Sequence, residues 1–333
     1  MKHKLARCLP TLSSKDAIPD QQALSRFVID RLTDCAVLVL SPSRAIVKRD
    51  GRACSAVFAP ATVARMRSKD DLGADLLHAP ERRELRAVYQ PILRLRDLTV
   101  VGFEALVRWQ HPSRGLLAPV DFIPLAEQSD LVVAIDRWML IEACRQLVVW
   151  LSLGTWSSDP QMSVNVSSRA FSRTDFLDEL RCILDQSGLA GTHLRLEITE
   201  TAALARSSRT EALIAAIRAL GVKVDLDDFG TGYSCLALLQ HVSVDALKIE
   251  SSFVSNLGAR HGSRLVANVI ALAHDLNMVA VAEGVETAEQ LDALVTLGCD
   301  LGQGDLFAPP LDPAKALVLF AQPLDPDKAM VLF

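Results

Sequence analysis

Seven polar residues of this 333-residue chain stand in or at the ends of short apolar runs. Glu104 interrupts Val-Val-Gly-Phe-Glu-Ala-Leu-Val, and Asn165 lies in Met-Ser-Val-Asn-Val. Glu197 lies in Leu-Arg-Leu-Glu-Ile, Asp227 and Asp228 end Val-Asp-Leu-Asp-Asp, Lys248 lies in Ala-Leu-Lys-Ile, and Glu283 ends Val-Ala-Val-Ala-Glu. A carboxylate at the end of a buried run is costly unless it is paired or holds a metal. Any one of them reads as an outward-facing strand residue or an ordinary turn. A whole series of run ends carrying only acid, amide or amine does not. Five carboxylates and an amide, with no His or Cys among them, are hard oxygen donors that select Mg2+ or Mn2+ over zinc or copper. Adjacent aspartates can bridge or flank two ions, the arrangement that clamps both oxygens of a phosphoryl displacement. Lys248 fits as a positioned cation or, with a depressed pKa, as a proton partner for a bound water. The Gly-rich stretch that follows, Phe229-Gly-Thr-Gly-Tyr-Ser234, has the backbone freedom to reshape over a ligand.

Such groups act together only if the chain brings the run ends to one place. Strand-like runs are expected at 87–93, 100–107, 162–166, 194–198, 222–226, 246–249 and 279–282, with a weak last one near Leu301. Helical patterns at 134–151, 174–186, 208–220, 263–277 and 287–297 separate most of them. Strand–helix alternation of this length means a largely parallel sheet, and about eight units match a closed TIM-like (β/α)8 barrel. In that fold the C-terminal strand ends converge on one mouth. Only a few residues around Arg96 and Asp97 separate the first two strands, a hairpin length, so that pair is expected to be antiparallel.

Two regions flank the barrel, which is placed at 79–310. Residues 1–78, with the apolar run 36–40 and a basic turn at Lys48-Arg-Asp-Gly-Arg52, read as a short α/β segment of uncertain role. At the other end Phe307-APPLDPAKALVL is repeated as Phe320-AQPLDPDKAMVLF at a period of 13. Two copies are too few for a solenoid, and 311–333 reads as a duplicated cap of Pro-punctuated turn and short helix.

Composition narrows the partners. Thirty-five Lys and Arg against 40 Asp and Glu give a net charge of -5, which argues against DNA or RNA held by bulk basic charge. No stretch reaches the roughly 18 apolar residues of a membrane span. The best candidate, 131–153, is broken by Asp136, Arg137, Glu142 and Arg145. No secretory pattern opens the chain, and seven scattered cysteines without a C-x-x-C pair read as reduced core residues. A cytoplasmic protein without membrane insertion is expected.

The motifs, taken in order, resemble a known family. Glu104-Ala-Leu-Val-Arg-Trp109 is similar to the E-A-L-x-R-W signature of EAL-domain cyclic di-GMP phosphodiesterases. Tyr89-Gln-Pro-Ile92, Val164-Asn-Val-Ser167, Glu197-Ile-Thr-Glu200, Asp227-Asp-Phe-Gly-Thr-Gly-Tyr-Ser234, Leu247-Lys-Ile249 and Ala282-Glu-Gly-Val-Glu-Thr287 continue the likeness. The resemblance implies hydrolysis of one phosphodiester of cyclic di-GMP to linear pGpG with two Mg2+ or Mn2+ ions. It implies that Glu104, Asn165, Glu197 and Asp227 hold one ion, and that Asp227 bridges to a second held with Asp228. Glu283 and Lys248 would manage the water there, which makes Lys248, Glu283 and Glu104 the catalytic set. Gln90, Arg108 and Gln303 would contact the nucleotide, and Glu200 and Glu286 would support the Gly-rich loop, itself part of a homodimer contact. Two positions depart from the family pattern: Glu250 stands where Asp is typical, and Asp305 replaces the Tyr of Gln-Gly-Tyr. Neither removes an implied metal ligand. A receptor that binds cyclic di-GMP without cleaving it, and a generic Mg2+ barrel acting on sugars or acids, are the alternatives. Lys48 to Arg52, followed by Ala56-Val-Phe58, resembles the final helix–strand turn of a GGDEF domain. No G-G-D-E-F motif is present, so no cyclase activity is assigned.

Overall fold

The computed structural model describes residues 29–32, 35–41, 44–49, 52–57, 72–154, 159–203, 208–230, 242–258 and 262–320. The chain divides into two compact units, 1–75 and 76–333.

In the first unit β1 (Ile29–Leu32), β2 (Cys35–Ser41), β3 (Arg44–Arg49) and β4 (Arg52–Val57) form an antiparallel meander in chain order. The apolar run is β2, and the basic turn joins two strands, with Arg49 opposite Arg52. Only two residues, Asp50 and Gly51, connect them, the length and composition that a tight hairpin needs. Residues 44–49 and 52–57 thus pair as antiparallel strands.

The second unit begins with a hairpin, β5 (Leu85–Arg94) and β6 (Thr99–His111), extended by β7 (Gly115–Leu117). Then come α1 (Pro119–Ala126), α2 (Leu131–Leu153), β8 (Gln161–Val166), α3 (Ser168–Phe171), α4 (Phe176–Ser187), β9 (Leu194–Thr199), α5 (Glu200–Ala203) and α6 (Ser208–Ala219). The chain continues through β10 (Lys223–Phe229), β11 (Ala246–Ile249), α7 (Ser251–Ser255), α8 (Gly262–Asp275), β12 (Val279–Ala282), α9 (Ala288–Thr296), β13 (Leu301–Gly302) and α10 (Pro313–Phe320). The strand order is β5-β13-β12-β11-β10-β9-β8-β6, with β7 hanging from β6, and β5 also pairs with β6, so the sheet closes. Every strand expected from the apolar runs is present, and the closed barrel is the fold anticipated. The hairpin makes β5 antiparallel to β6, and β13 meets the other side of β5 antiparallel as well. β5 therefore opposes both neighbours, while β6 and β8 to β13 run parallel.

Helix α2 is the 131–153 stretch, and its buried face includes Ile135, Met139, Ala143, Leu147 and Trp150. The Trp150 ring lies 4.9 Å from Tyr89 and 5.0 Å from Phe103, which ties the helix to the hairpin. Among the described residues no helix is long and apolar enough to cross a membrane. Leu311 exchanges two backbone hydrogen bonds with Tyr89 of β5, at 2.8 and 2.9 Å. The Asp312 carboxylate accepts from the N–H groups of Ala314 and Lys315, capping α10. The first copy of the repeated phrase thus seats on β5; the second begins at Phe320, the end of α10, and its remainder, 321–333, lies outside the described residues. Cys144 and Cys299 are buried as expected, but Cys182 is exposed, because it lies on the solvent face of the amphipathic α4, whose buried residues are Phe176, Leu180, Ile183 and Leu184. Cys8 and Cys235 lie outside the described residues.

Candidate metal centre

Side chains two apart on a strand share a face, so each strand can aim a polar residue into the barrel beyond its apolar ones. β6 supplies Glu104, β8 Asn165, β9 Glu197, β10 Asp227 and Asp228, and β11 Lys248, while Glu283 follows β12 and Gln303 follows β13. All of them meet at one mouth. The centre is Lys248, fully buried. Its Nζ lies 2.7 Å from Glu197 Oε2 and 2.6 Å from Glu283 Oε1. Asp227 Oδ1 at 3.5 Å and Glu104 Oε2 at 3.6 Å complete the ring. Asn165, exposed at its strand end, donates to Glu104 Oε1 at 2.6 Å. Gln303 donates to Glu104 Oε2 at 2.6 Å and reaches Glu283 Oε1 at 3.4 Å.

Four carboxylates around one ammonium leave an excess of negative charge in a place that water reaches poorly. Burial pulls the Lys248 pKa down, but Glu104, Glu197, Glu283 and Asp227 override it and hold the ammonium well above its usual range. Lys248 is therefore held as a cation by the acids around it. Burial, then the charges of Glu104 and Asp227, push Glu197 well above the carboxylate range. Burial also lifts Glu283 to about 7, with Asp227 and Glu104 adding to it. Burial would raise Glu104 too, yet Lys248 and the hydrogen bonds from Gln303 and Asn165 hold it below its ordinary value.

Beside this ring Asp227, Asp228 and Glu283 each offer an oxygen, and these lie within 4.8 Å of one another, a spacing suited to a cation. Asp228 reaches the group through a left-handed backbone, φ 54°, which Asp tolerates better than most residues. Its N–H donates to Asp227 Oδ1 at 2.9 Å. The donors are all oxygen, three carboxylates converge, and the buried negative charge exceeds what Lys248 offsets. This set fits a hard divalent cation such as Mg2+ or Mn2+.

The remaining expected residues are placed as follows. Gln90 stands opposite Glu104 on the neighbouring strand and donates to Ala308 O at 3.3 Å. Arg108, half-buried, donates to Val107 O at 2.8 Å, and burial draws its pKa down against the pull of Glu104. Gln303 is buried with its Nε2 donating to the two glutamates, and its Oε1 has no partner among the described residues. Glu200 is buried, and among the described residues neither carboxylate oxygen has a hydrogen-bond partner. Glu286 is exposed. The loop that both were expected to support, from Thr231 onward, lies outside the described residues. The Gly230 that opens it has φ +103°, and a Cβ there would come within 2.7 Å of the Phe253 ring. Asp305 is exposed, and Glu250 accepts a short hydrogen bond from Ser252.

Sequence reasoning overlooked a layer below the centre. Arg195 and Asp225, two residues before Glu197 and Asp227, form a bidentate pair at 2.6 and 2.5 Å. Asp136 of α2, also buried, accepts from the N–H of Ser167, two residues after Asn165, at 3.0 Å. The signal for the first was in the text of the chain: Leu-Arg-Leu-Glu and Val-Asp-Leu-Asp repeat charge at a period of two inside apolar runs.

A family model described as the EAL domain matches residues 74–310. The bifunctional diguanylate cyclase/cyclic di-GMP phosphodiesterase MucR of Pseudomonas aeruginosa is 38% identical over 274 residues, covering 81% of this chain and 39% of MucR. The cyclic di-GMP phosphodiesterase NbdA of the same organism is 39% identical over 289 residues, covering 86% of this chain and 36% of NbdA. This chain thus spans less than half the length of these relatives. A solved structure of the PaMucR phosphodiesterase in complex with c-di-GMP superposes with a TM-score of 0.71 at 38% identity, covering 74% of this chain and 99% of that one.

Proposed function

The chain belongs to the EAL domain family, and on that premise we propose that it hydrolyses one phosphodiester of cyclic di-GMP to linear pGpG, lowering the second messenger. One observation carries the reading: Glu104, Glu197, Asp227, Lys248 and Glu283 converge within ion-pair distance at one mouth, with Asn165 and Asp228 attached. Two Mg2+ or Mn2+ ions, bound through Glu104, Asn165, Glu197, Asp227, Asp228 and Glu283, would supply positive charge against the phosphate and acidify a water. In the reaction a water oxygen bonds to phosphorus, one P–O bond to a ribose 3′ oxygen breaks, and that oxygen gains a proton. The residues prepare these events. Lys248, held cationic, keeps Glu197 and Glu283 in fixed positions and sets negative charge where cations must sit. Glu283, whose pKa is lifted to about 7 while no cation is bound, would give up that proton on binding a cation and stand beside the water as a carboxylate. Gln303 and Asn165 hold both oxygens of Glu104, so its orientation costs nothing at the moment of reaction. Arg108 and Gln90 would position the dinucleotide from β6 and β5, Arg108 through a planar fork suited to phosphate or a guanine edge. A homodimer joined through the Gly-rich loop and a cytoplasmic location complete the proposal.

The test is purified protein with cyclic di-GMP and Mn2+, with products separated by chromatography. The expected result is pGpG, abolished by Glu104→Ala or by chelation. Tight binding without turnover would instead make the protein a receptor, with Asp305 and Glu250, the two departures from the family pattern, the first positions to revert. Neither binding nor turnover would sink the cyclic di-GMP reading.

A further inference from the structure

Below the metal centre, three strands that carry its residues are tied together by side chains with no part in the cluster itself. Arg195 of β9 binds both oxygens of Asp225 on β10, Nε at 2.6 Å and Nη2 at 2.5 Å. Its third nitrogen, Nη1, donates to Gln161 Oε1 of β8 at 2.8 Å. Gln161 is fixed in turn by donating to Thr192 O at 3.0 Å. Both members of the ion pair are buried.

Spacing relates this lower layer to the upper one. Arg195 precedes Glu197 by two residues, Asp225 precedes Asp227 by two, and Gln161 precedes Asn165 by four. Even spacing on a strand places lower and upper residue on the same inward face. No complete apolar layer separates them. A cavity of about 20 Å³, space for about one water, is lined among others by Arg195, Asp225, Glu197, Lys248 and Ser163, whose buried hydroxyl has no partner among the described residues.

A buried ion pair is a poor way to gain stability, since apolar residues of similar volume often do as well or better. What a bidentate guanidinium–carboxylate pair does provide is a fixed relative position of two strands. A slip of β9 against β10 would break both short hydrogen bonds, and the same slip would pull Glu197 away from Asp227. We propose that Arg195 and Asp225, assisted by Gln161, are positioning residues for the metal centre: they lock β8, β9 and β10 in the register that brings Asn165, Glu197 and Asp227 to binding distance. This rests on the metal-dependent reading above, but its test does not depend on cyclic di-GMP turnover.

The experiment replaces the pair by Arg195→Met/Asp225→Leu, which removes both charges at once. Mn2+ binding is measured by calorimetry, and thermal unfolding is measured in chelator. The expected result is an unchanged or raised melting temperature with Mn2+ affinity weakened about tenfold or more, the usual effect of removing support from metal-binding side chains. The swapped pair, Arg195→Asp/Asp225→Arg, should recover affinity to within about threefold of the parent. Gln161→Leu, at a half-buried position, leaves the ion pair intact and removes the contacts of Gln161 with Arg195, Lys223 and Thr192; it should weaken Mn2+ binding less, and it keeps the test decisive should the double variant not fold. Mn2+ affinity equal to the parent's in any folded variant lacking these contacts would overturn the inference. A parent that binds Mn2+ yet leaves cyclic di-GMP intact would instead overturn the proposed reaction and leave this inference standing.

Discussion

Both ends of the barrel interior carry buried charge, and they balance it in opposite ways. At the lower end one guanidinium meets one carboxylate in a bidentate pair. At the mouth one ammonium is shared by four carboxylates, two of them at 3.5 Å or more. A matched pair is complete without any further ion. An unmatched ring is complete only with added cations, so it holds electrostatic energy that binding can release. The two clusters use the same chemistry two residues apart on the same strands, and the stoichiometry of charge separates support from site.

The comparison breaks if both ends respond to metal alike. Lys248→Met leaves the four acids with no cation, and Arg195→Met leaves Asp225 alone; each should cost roughly 3–5 kcal/mol of metal-free stability, as expected on breaking a buried pair. Only the first should regain that stability when Mn2+ is added, which melting curves with and without the ion would show. Equal recovery in both variants would erase the distinction.

Asp136 sharpens it at a third place, where a buried acid has no cation. Burial lifts its pKa to about 6, above the unfolded value of about 3.9. Its contribution to stability is therefore fully present below pH 4 and is lost as the pH rises through 6. Asp136→Asn, which can still accept from Ser167, should raise stability at pH 8 by up to roughly 3 kcal/mol, with the gain gone near pH 4. Denaturant titrations at the two pH values would measure it; a gain independent of pH would be wrong for this cause.

The smallest effect expected is on metal affinity. Glu283 near 7 must lose its proton when a cation binds, so Mn2+ should bind about tenfold more tightly at pH 8 than at pH 6. Proton release in calorimetry, read from two buffers of different ionisation enthalpy, checks the same point. The lower pair should show no such dependence on pH.

Much of the site could be read in the sequence because it lies on strands. Glu104, Asn165, Glu197, Asp227 and Lys248 stand inside or at the ends of apolar runs, and period two tells which face they take. The lower pair was visible by the same rule and was passed over, because Arg195 next to Glu197 looks like ordinary alternation until Asp225 is brought opposite. Asp136 could not be read: in sequence it breaks an apolar helix, and only the packing of α2 against β8 puts it beside Ser167. For Gln303, expected at the nucleotide, the sequence did not reveal the donation of its Nε2 to Glu104 and Glu283, contacts across 199 and 20 residues of chain.

The sequence by itself determined the barrel, the antiparallel start and the identity of the acids, since each follows from hydrophobic period, short connections and residue chemistry, all of them local. Tertiary structure alone decided that Lys248 stands at the centre of the ring, that the acids around it raise its pKa, and that the charge below is matched while the charge above is not. Those outcomes depend on distances between strands far apart in the chain, and Coulomb energies at 3 Å in a buried site follow distance and surroundings far more than order in sequence.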